Sequence, residues 1–329
     1  MKMKNRFDFI HIGMPKCMSS HLQEIWKYSE NYSSIRGRLL ADEIDNICKN
    51  LEGQNSKIEI IQLSNNLIRS INFPKSVQGK KNIFTEESFT SPIDDPFFSR
   101  QKILAKTLAN TSEKALILIR NPLDWILSFY AQEVKMGLAN ENFKEWVFQN
   151  KNRIYCGLNI SKILSIWGKY FKIILIPIEI SRDTRSRFGN IYYKNFGELP
   201  EKIDSDYSMM QSNITNYDSL NAFGRLNTIN NFMRISLEKN TSSKKQAVDF
   251  YNSFLAYTRN FCTYASKNEI NELKNKLKLE ESRIDLKVDD ALLVHIRRKF
   301  INPIKINYPE FKDILSEYEK KLAENCLTN

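Results

Sequence analysis

The sequence has few of the residues that interrupt regular structure or cross-link a chain. Its 329 residues include 10 glycines, 9 prolines and 5 cysteines. The cysteines are scattered, with no CxxC pair and no histidine at metal-ligand spacing, which argues against disulfides and structural zinc. No apolar run approaches the roughly 18 residues that span a bilayer, and the basic start lacks the apolar stretch of a signal peptide. We therefore expect a cytoplasmic protein without a transmembrane segment.

What is present is a globular composition with a strong excess of positive charge. Hydrophobic residues make up 42% of the chain and charged residues 26%, and the formal net charge is +11. Such a charge favours anionic partners such as phosphates, acidic glycans, nucleic acid or an anionic membrane surface, although a solvated basic surface explains it equally well. A nucleic-acid-binding protein would need a basic stripe with stacking aromatics or a recognisable module. Neither is found, so we expect no specific nucleic-acid partner.

Short apolar runs alternate with amphipathic stretches in the first two thirds of the chain. The runs predict strands at 7–12, 82–85, 114–119 and 172–178. The stretches predict helices at 19–29, 58–70, 98–110, 123–135 and 160–170. Apolar strands separated by helices predict an α/β fold in which a central parallel sheet is flanked by helices on both faces.

The last third of the chain has no comparable apolar run. Its periodicity predicts helices at 218–238, 244–258, 267–281 and 310–324. We therefore predict a single domain, with an α/β core over about 1–205 and a mostly helical extension over about 206–329.

The loop after the first predicted strand has the features of an anion site. Residues 13–21 read GMPKCMSSH, between the carboxyl end of a strand and a helix that Ser19 and Ser20 can cap. Helix N-terminal N–H groups, the charge of Lys16 and the two hydroxyls favour a phosphate-type group. A Walker A loop is excluded, because that motif has glycine before the lysine and serine or threonine after it.

A second strand-to-helix junction adds another anion-binding pair. Arg120 ends the strand at 114–119, Pro122 opens the next helix, and Ser128 lies about two helical turns further on. A guanidinium binds phosphate through directional paired hydrogen bonds. Two anion sites on one sheet predict a nucleotide that carries two separate phosphates.

At this point the chain resembles a known family, the sulfotransferases that use 3′-phosphoadenosine 5′-phosphosulfate (PAPS). Residues 10–23, IHIGMPKCMSSHLQ, look like the family's 5′-phosphosulfate loop, and residues 119–130, IRNPLDWILSFY, look like its 3′-phosphate motif. The resemblance implies a P-loop-like fold of three layers. It also implies a bacterial-type enzyme that transfers a sulfuryl group from PAPS to a hydroxyl or amine of a carbohydrate or small-molecule acceptor. In such an enzyme the helical extension over about 206–329 would help form the acceptor cleft.

The resemblance assigns roles to individual positions. Lys16 would contact the bridging oxygen and the sulfonate. Arg120 and Ser128 would hold the 3′-phosphate. Ser19 and Ser20 would bind the 5′-phosphate. The rest of the loop that would bind the nucleotide consists of Pro15, Cys17 and Met18.

The transfer needs a base for the acceptor but no metal. Glu87 is the preferred candidate, because the segment Thr85 to Ser88 follows a strand and resembles the Ser-x-Glu segment of bacterial members. Glu86 and His21 remain alternatives, whereas His11, within a strand, is expected to be a core residue.

One position departs from the family's pattern. Met18 stands where the loop usually has glycine, a residue that permits positive φ and close backbone approach. This departure leaves open a catalytically decayed nucleotide-binding homologue. A separate alternative is a P-loop phosphotransferase such as a kinase. Peripheral membrane contact also remains open, and the sequence does not determine the oligomeric state.

Overall fold

A parallel sheet organises the fold. The computed structural model describes residues 6–38, 40–42, 77–90, 95–96, 98–139, 141–180, 185–197 and 288–325, with scattered positions between 227 and 276. Within these residues five strands pair in the order β2-β3-β1-β4-β5, all parallel. The strands are β1 Phe9–His11, β2 Tyr32–Arg36, β3 Lys81–Thr85, β4 Lys114–Ile119 and β5 Lys172–Pro177.

The strands arise from the apolar runs. The segment KALILI forms β4 with the predicted bounds, and its last five residues are buried. The run predicted at 172–178 forms β5, and that predicted at 82–85 forms β3. Of the run predicted at 7–12, only residues 9–11 pair as β1. Strand β2 was not predicted. Its sequence, YSSIR, has a single buried position and otherwise consists of partly or fully exposed residues, so it contains no apolar run.

Helices connect and follow the strands. They are α1 Ser19–Tyr28, α2 Ser99–Leu108, α3 Pro122–Lys135, α4 Phe143–Gln149, α5 Lys151–Gly157, α6 Ile160–Trp167, α7 Arg185–Phe196, α8 Lys267–Lys276, α9 Asp290–Ile296, α10 Asn302–Asn307 and α11 Lys312–Glu324. A π-helical segment, Arg297–Ile301, joins α9 to α10, and short 3₁₀ turns occupy Glu87–Thr90 and Pro309–Phe311.

Most predicted helices are confirmed where the structure describes them. Helices α1, α2, α3, α6 and α11 occupy the predicted segments, and α8 occupies the first part of 267–281. The described residues between 227 and 256 are all helical, in agreement with the predicted helical extension. The helix predicted at 58–70 lies outside the described residues. Helices α4, α5, α7, α9 and α10 were not predicted.

Helices cover both faces of the sheet. On one face, Phe9 of β1 packs against Trp26 of α1 and against Phe196 of α7. The indole Nε1 of Trp26 also donates to the hydroxyl of Tyr192 in α7, at 3.1 Å. These contacts fix α1 and α7 as one outer layer.

The opposite face is covered by α2 and α6. Phe84 of β3 packs against Phe89, which stacks on Trp167 of α6. The Nε1 of Trp167 donates to Oε1 of Gln101 in α2, at 2.8 Å. The predicted fold class is therefore confirmed: a three-layer α/β fold with a central parallel sheet, in which β1 and the loop that follows it lie at the centre of the strand order.

Contacts divide the chain into two compact units. The first comprises Met1–Pro122, Asn152–Tyr207 and Asp290–Glu324, and it contains the whole sheet. The second comprises Leu123–Lys151, Ser208–Asp289 and Asn325–Asn329. The predicted single domain with a boundary near residue 205 stays a prediction.

The second unit has an aromatic core of its own. Trp125 and Phe129 stack within α3, and Phe129 meets Trp146 of α4 edge to face. The Nε1 of Trp146 donates to Oε2 of Glu133 at 2.9 Å, which satisfies a buried carboxylate. The aromatic residues of α3 therefore serve packing.

Candidate functional site

The loop between β1 and α1 has a strained backbone. Lys16 has a φ of 66° and Met18 a φ of 61°, both in the left-handed region that non-glycine residues disfavour. Met18 is the N-cap of α1, and it makes no side-chain capping hydrogen bond. The first turn of α1 therefore has no side-chain cap for its N–H groups.

The structure corrects the prediction that serines cap this helix. Ser19 and Ser20 are the first two residues of α1 and lie after the cap position. The hydroxyl of Ser19 is 3.4 Å from the carbonyl oxygen of Met14, and that of Ser20 donates to Glu87. Capping requires extended backbone at the N-cap, and the left-handed Met18 occupies that position instead.

Gly13 allows the loop to pass close to the sheet. A Cβ at this position would lie 2.2 Å from Oγ of Ser19 and 2.5 Å from Nε2 of His11. The Gly13 carbonyl also accepts a hydrogen bond from Oγ1 of Thr90, at 2.7 Å. Close approach therefore explains the need for glycine here.

A buried polar network lies beneath the loop. Nδ1 of His11 is 2.8 Å from Oγ1 of Thr85, which also accepts a hydrogen bond from Nε2 of Gln23 at 3.1 Å. The other ring nitrogen of His11 is 3.4 Å from Oγ of Ser19. Burial lowers the pKa of His11 to about 3, so the imidazole is neutral at physiological pH. His11 is the satisfied core residue that the sequence predicted.

The two glutamates after β3 have different surroundings. Glu86 is buried, and its Oε1 accepts the N–H of Ser88 at 3.1 Å. Glu87 is half-buried, and its Oε2 accepts a hydrogen bond from Ser20 at 3.2 Å. The structure thus brings Glu87 to the start of α1 and turns Glu86 back onto its own chain.

Arg120 lies where β4 ends, beside the loop after β1. Its Nη1 is 3.4 Å from the carbonyl oxygen of Lys16, within hydrogen-bond distance. The N–H of the next residue, Asn121, donates to Oε1 of Glu179 at 2.8 Å. Glu179 follows β5, and its other oxygen accepts the hydroxyl of Tyr318 in α11. Residues that follow β1, β3, β4 and β5 therefore meet at one edge of the sheet.

Cys17 forms the inner wall of this edge. The thiol is fully buried, and burial raises its pKa well above the ordinary range. The positive charge of Arg120 opposes that rise, whereas the carboxylates of Glu179 and Glu87 add to it. All three charged groups therefore lie close enough to influence the pKa of the Cys17 thiol. Because burial dominates, Cys17 remains a protonated thiol in the core.

The remaining predicted residues are spread over the two units. Pro15 and His21 are half-buried and lie on the loop and in the first turn of α1. Ser128 is half-buried in the second turn of α3, and it belongs to the second unit, whereas Arg120 belongs to the first. The pairing of Arg120 with Ser128 on one phosphate stays a prediction. Among the residues that the structure describes, no group of three or more histidines, cysteines or carboxylates could hold a metal ion.

Comparison with known proteins gives little. No family model matches the chain, and no curated protein matches its sequence. A crystal structure of a sulfotransferase from Alicyclobacillus acidocaldarius is similar with a TM-score of 0.38 and 13% identity, over 62% of this chain and 91% of that one. A similarity of this size assigns no family. Separately, no helix in the described ranges is both long enough and apolar enough to cross a membrane.

Two residues at this edge of the sheet, Glu179 and Tyr318, were not assigned a role from the sequence. Glu179 directly follows the apolar run of β5, in the same way that Arg120 follows β4, and that position is the signal that could have found it. Tyr318 is 139 residues further along the chain than its partner Glu179. Nothing local in the sequence marks Tyr318, because only the fold brings it to the sheet edge.

Proposed function

We propose that the protein is a sulfotransferase that transfers a sulfuryl group from PAPS to a hydroxyl or amine of a carbohydrate or small-molecule acceptor. The observation that supports this function best is the meeting of Lys16, Arg120 and Glu87 at one edge of the parallel sheet. Arg120 reaches the Lys16 carbonyl, and Glu87 holds Ser20 in the first turn of α1. Two cations beside a helix N-terminus favour a dianionic ligand, and a carboxylate nearby can accept the acceptor's proton.

The donor set fits a nucleotide with two phosphate groups. Lys16 and the first-turn N–H groups of α1 would bind the 5′ end, while Arg120 would bind the 3′-phosphate. Two carboxylates lie at the same edge of the sheet and are held within the protein. Glu179 accepts hydrogen bonds from the Asn121 N–H and the Tyr318 hydroxyl, and Glu87 accepts one from Ser20. When bound, PAPS supplies the sulfuryl group and a phosphate leaving group.

The side chains of this chain have distinct parts in the reaction. The Lys16 ammonium stabilises negative charge as it develops on the bridging oxygen. The Glu87 carboxylate takes the proton from the attacking hydroxyl or amine. Its hydrogen bond from Ser20 orients the carboxylate, and it leaves Oε1 for the acceptor. Glu86 and His21 are the alternative bases, and Glu86 is the less accessible because it is buried.

The alternative functions differ in the ligand they predict. A kinase would bind ATP, and the loop GMPKCMSS lacks the glycine and serine order of a Walker A motif. A catalytically decayed nucleotide-binding homologue would bind the nucleotide but would not transfer the sulfuryl group, so turnover distinguishes it. Met18 adopts the left-handed backbone that glycine would provide. As part of the proposal we place the enzyme in a bacterial cytoplasm.

Calorimetric titration with adenosine 3′,5′-bisphosphate tests the proposal, with ATP and AMP as competing ligands. We expect the bisphosphate to bind in preference to both. Arg120→Ala should weaken its binding about 30-fold or more, because hydrogen bonds to charged groups contribute about 2 kcal/mol. Lys16→Ala should weaken it about tenfold.

Lys172→Ala is the matched control, because Lys172 is an exposed lysine at the opposite end of the sheet, where β5 begins. This variant should bind like the unmodified protein. Equal affinity for ATP, or loss of binding in Lys172→Ala comparable to that in Arg120→Ala, would contradict the proposal.

A further inference from the structure

The loop that carries Arg120 is held by a residue from the other end of the chain. The Asn121 N–H donates to one oxygen of Glu179 at 2.8 Å, and the Tyr318 hydroxyl donates to the other oxygen. Tyr318 is 2% exposed, so its hydroxyl is removed from bulk water and its hydrogen bond has little competition. Glu179 is thereby fixed from two sides, by the backbone that it orients and by a helix.

The helix that carries Tyr318 is itself anchored. Arg187 of α7 donates to both carboxylate oxygens of Asp313 in the first turn of α11, at 2.5 and 3.1 Å. The same guanidinium donates to the carbonyl oxygen of Glu310 at 2.5 Å. Further along α11, Leu315 and Leu322 are fully buried. The position of the Tyr318 hydroxyl is therefore set by the packing of α11 within the first unit.

Both carboxylate oxygens of Glu179 are occupied, which determines what this residue can do. One oxygen accepts the Asn121 N–H and the other accepts the Tyr318 hydroxyl, so both oxygens serve contacts within the protein. Its charge lies beside the start of the Arg120 side chain, since it accepts the N–H of the adjacent residue. Glu179 is consequently suited to orient the backbone at the end of β4, next to Arg120.

We propose that Glu179 and Tyr318 are positioning residues that set the orientation of Arg120 toward the 3′-phosphate. This inference rests on the proposed function in one respect only, the identity of the ligand of Arg120. The chain of contacts runs from the Tyr318 hydroxyl through Glu179 to the Asn121 N–H, and from Arg120 to the Lys16 carbonyl. The C-terminal helix thus contributes to the nucleotide site without touching the nucleotide.

Tyr318→Phe tests the proposal, because it removes a single hydroxyl and keeps the buried ring. Tyr308→Phe is the matched control: Tyr308 also lies in the C-terminal region, and its hydroxyl donates to the carbonyl oxygen of Ile173, near the opposite end of β5, at 3.4 Å. We expect Tyr318→Phe to weaken adenosine 3′,5′-bisphosphate binding about fivefold and to leave AMP binding unchanged. Tyr308→Phe should change neither.

The background of Arg120→Ala separates positioning from general destabilisation. If Tyr318 acts through Arg120, adding Tyr318→Phe to Arg120→Ala should produce no further loss of bisphosphate affinity. Equal weakening of both ligands by Tyr318→Phe, or an undiminished loss in the double variant, would overturn the proposal.

Amide hydrogen exchange supplies a readout that needs no nucleotide. The Asn121 amide donates to Glu179, so Tyr318→Phe should speed its exchange several-fold, whereas Tyr308→Phe should not. Unchanged exchange at Asn121 would overturn the positioning role by itself. If exchange at Asn121 changes as expected but the unmodified protein does not bind the bisphosphate, the proposed function fails and the mechanical link from Tyr318 to Asn121 stands.

Discussion

The loops after β1 and after β4 lie at the same edge of the sheet, and they are stabilised in different ways. The first contains Lys16 and Met18 with positive φ, and it meets a helix that has no side-chain cap. The second passes through Asn121, whose N–H is bound to Glu179, into a helix that begins with Pro122. Proline suits the first position of a helix because its φ is already helical.

This difference has a functional meaning. Strained backbone persists only where the surroundings over-determine it, and it recurs at ligand sites. The loop after β1 has a strained backbone and leads into a helix without a side-chain cap. Under the proposed function, the first-turn N–H groups of α1 would bind the 5′ end of the nucleotide directly. The loop after β4 instead holds a charged side chain, Arg120, on a backbone fixed by hydrogen bonds. We therefore expect substitutions in the loop after β1 to change stability in both directions. Added bulk at Gly13 should destabilise the protein, and relief of the strain at Met18 should stabilise it.

The largest effect is expected from Gly13→Ala. The added Cβ would lie 2.2 Å from Oγ of Ser19 and 2.5 Å from Nε2 of His11, so either the loop or the polar network beneath it must move. Overpacking of this kind lowers the free energy of unfolding by about 3 kcal/mol. Chemical denaturation measures it, and Gly79→Ala is a useful contrast: a Cβ there meets nothing within 4 Å, although its φ of 79° adds strain. A Gly13→Ala loss no greater than that of Gly79→Ala would show that the loop can shift.

The next effect is a dependence of stability on pH that comes from His11. The pKa of His11 is about 3 in the folded protein and 6.5 in its ordinary state. The unfolded chain therefore binds a proton between these values and the folded protein does not, so stability is full above pH 6.5 and falls as the pH drops toward 3. Between pH 7.5 and pH 5 the share due to His11 is about 2 kcal/mol.

His11→Gln should remove this share, because glutamine does not titrate. Denaturation curves at pH 7.5 and pH 5 for both proteins give the comparison as a difference of differences. Burial also lowers the pKa of His295, which therefore contributes in the same pH range to both proteins and cancels. The same pH dependence in His11→Gln as in the unmodified protein would place the imidazole in a more hydrated environment than the structure gives it.

The sequence predicts the buried apolar strands well and the partly exposed edge strand β2 poorly, for a physical reason. Strand β5 is also the last of the strand order, but four of its six residues are buried. Strands β4 and β5 are buried on both faces and consist of continuous apolar runs. Strand β2 is an edge strand of partly exposed polar residues, and α7 contains several charged and polar residues that hide its buried stripe of Phe188, Tyr192 and Phe196. Periodicity reports burial, so partly exposed elements give a weak signal.

The candidate site divides in the same way. Lys16, Glu87 and Arg120 lie in the segments that follow β1, β3 and β4. The rule that parallel strands end at one edge of the sheet therefore places these segments together. Which glutamate faces α1 required the structure, because it depends on the 3₁₀ turn after β3 and not on strand alternation alone. The link from Glu179 to Tyr318 required it too, since tertiary packing alone determines which helix residue reaches a given strand end.

A smaller effect, of opposite sign, is expected from Met18→Gly. Met18 has a φ of 61°, and glycine adopts that conformation without the steric penalty of a side chain. We expect a gain of about 1 kcal/mol in the free energy of unfolding. Ser20→Gly is the matched control, because Ser20 lies in the first turn of α1, where glycine should destabilise by about 0.5–1 kcal/mol. Loss of stability in both variants would mean that the loop after β1 is not strained at Met18.

The smallest effect on stability is expected from Ser20→Ala. Ser20 is exposed, and its hydrogen bond to Oε2 of Glu87 competes with water, so its removal should change the free energy of unfolding by less than about 0.5 kcal/mol. Its effect on reaction should be larger, since that bond orients the proposed base. We expect slower sulfuryl transfer with little change in bisphosphate affinity, measured by turnover and calorimetry on the same preparation. Ser20 lies in the first turn of α1 and donates to the proposed base, Glu87. A change in bisphosphate affinity without a change in turnover would instead assign the Ser20 hydroxyl to the 5′-phosphate. The two loops would then differ only in how they bind the ligand.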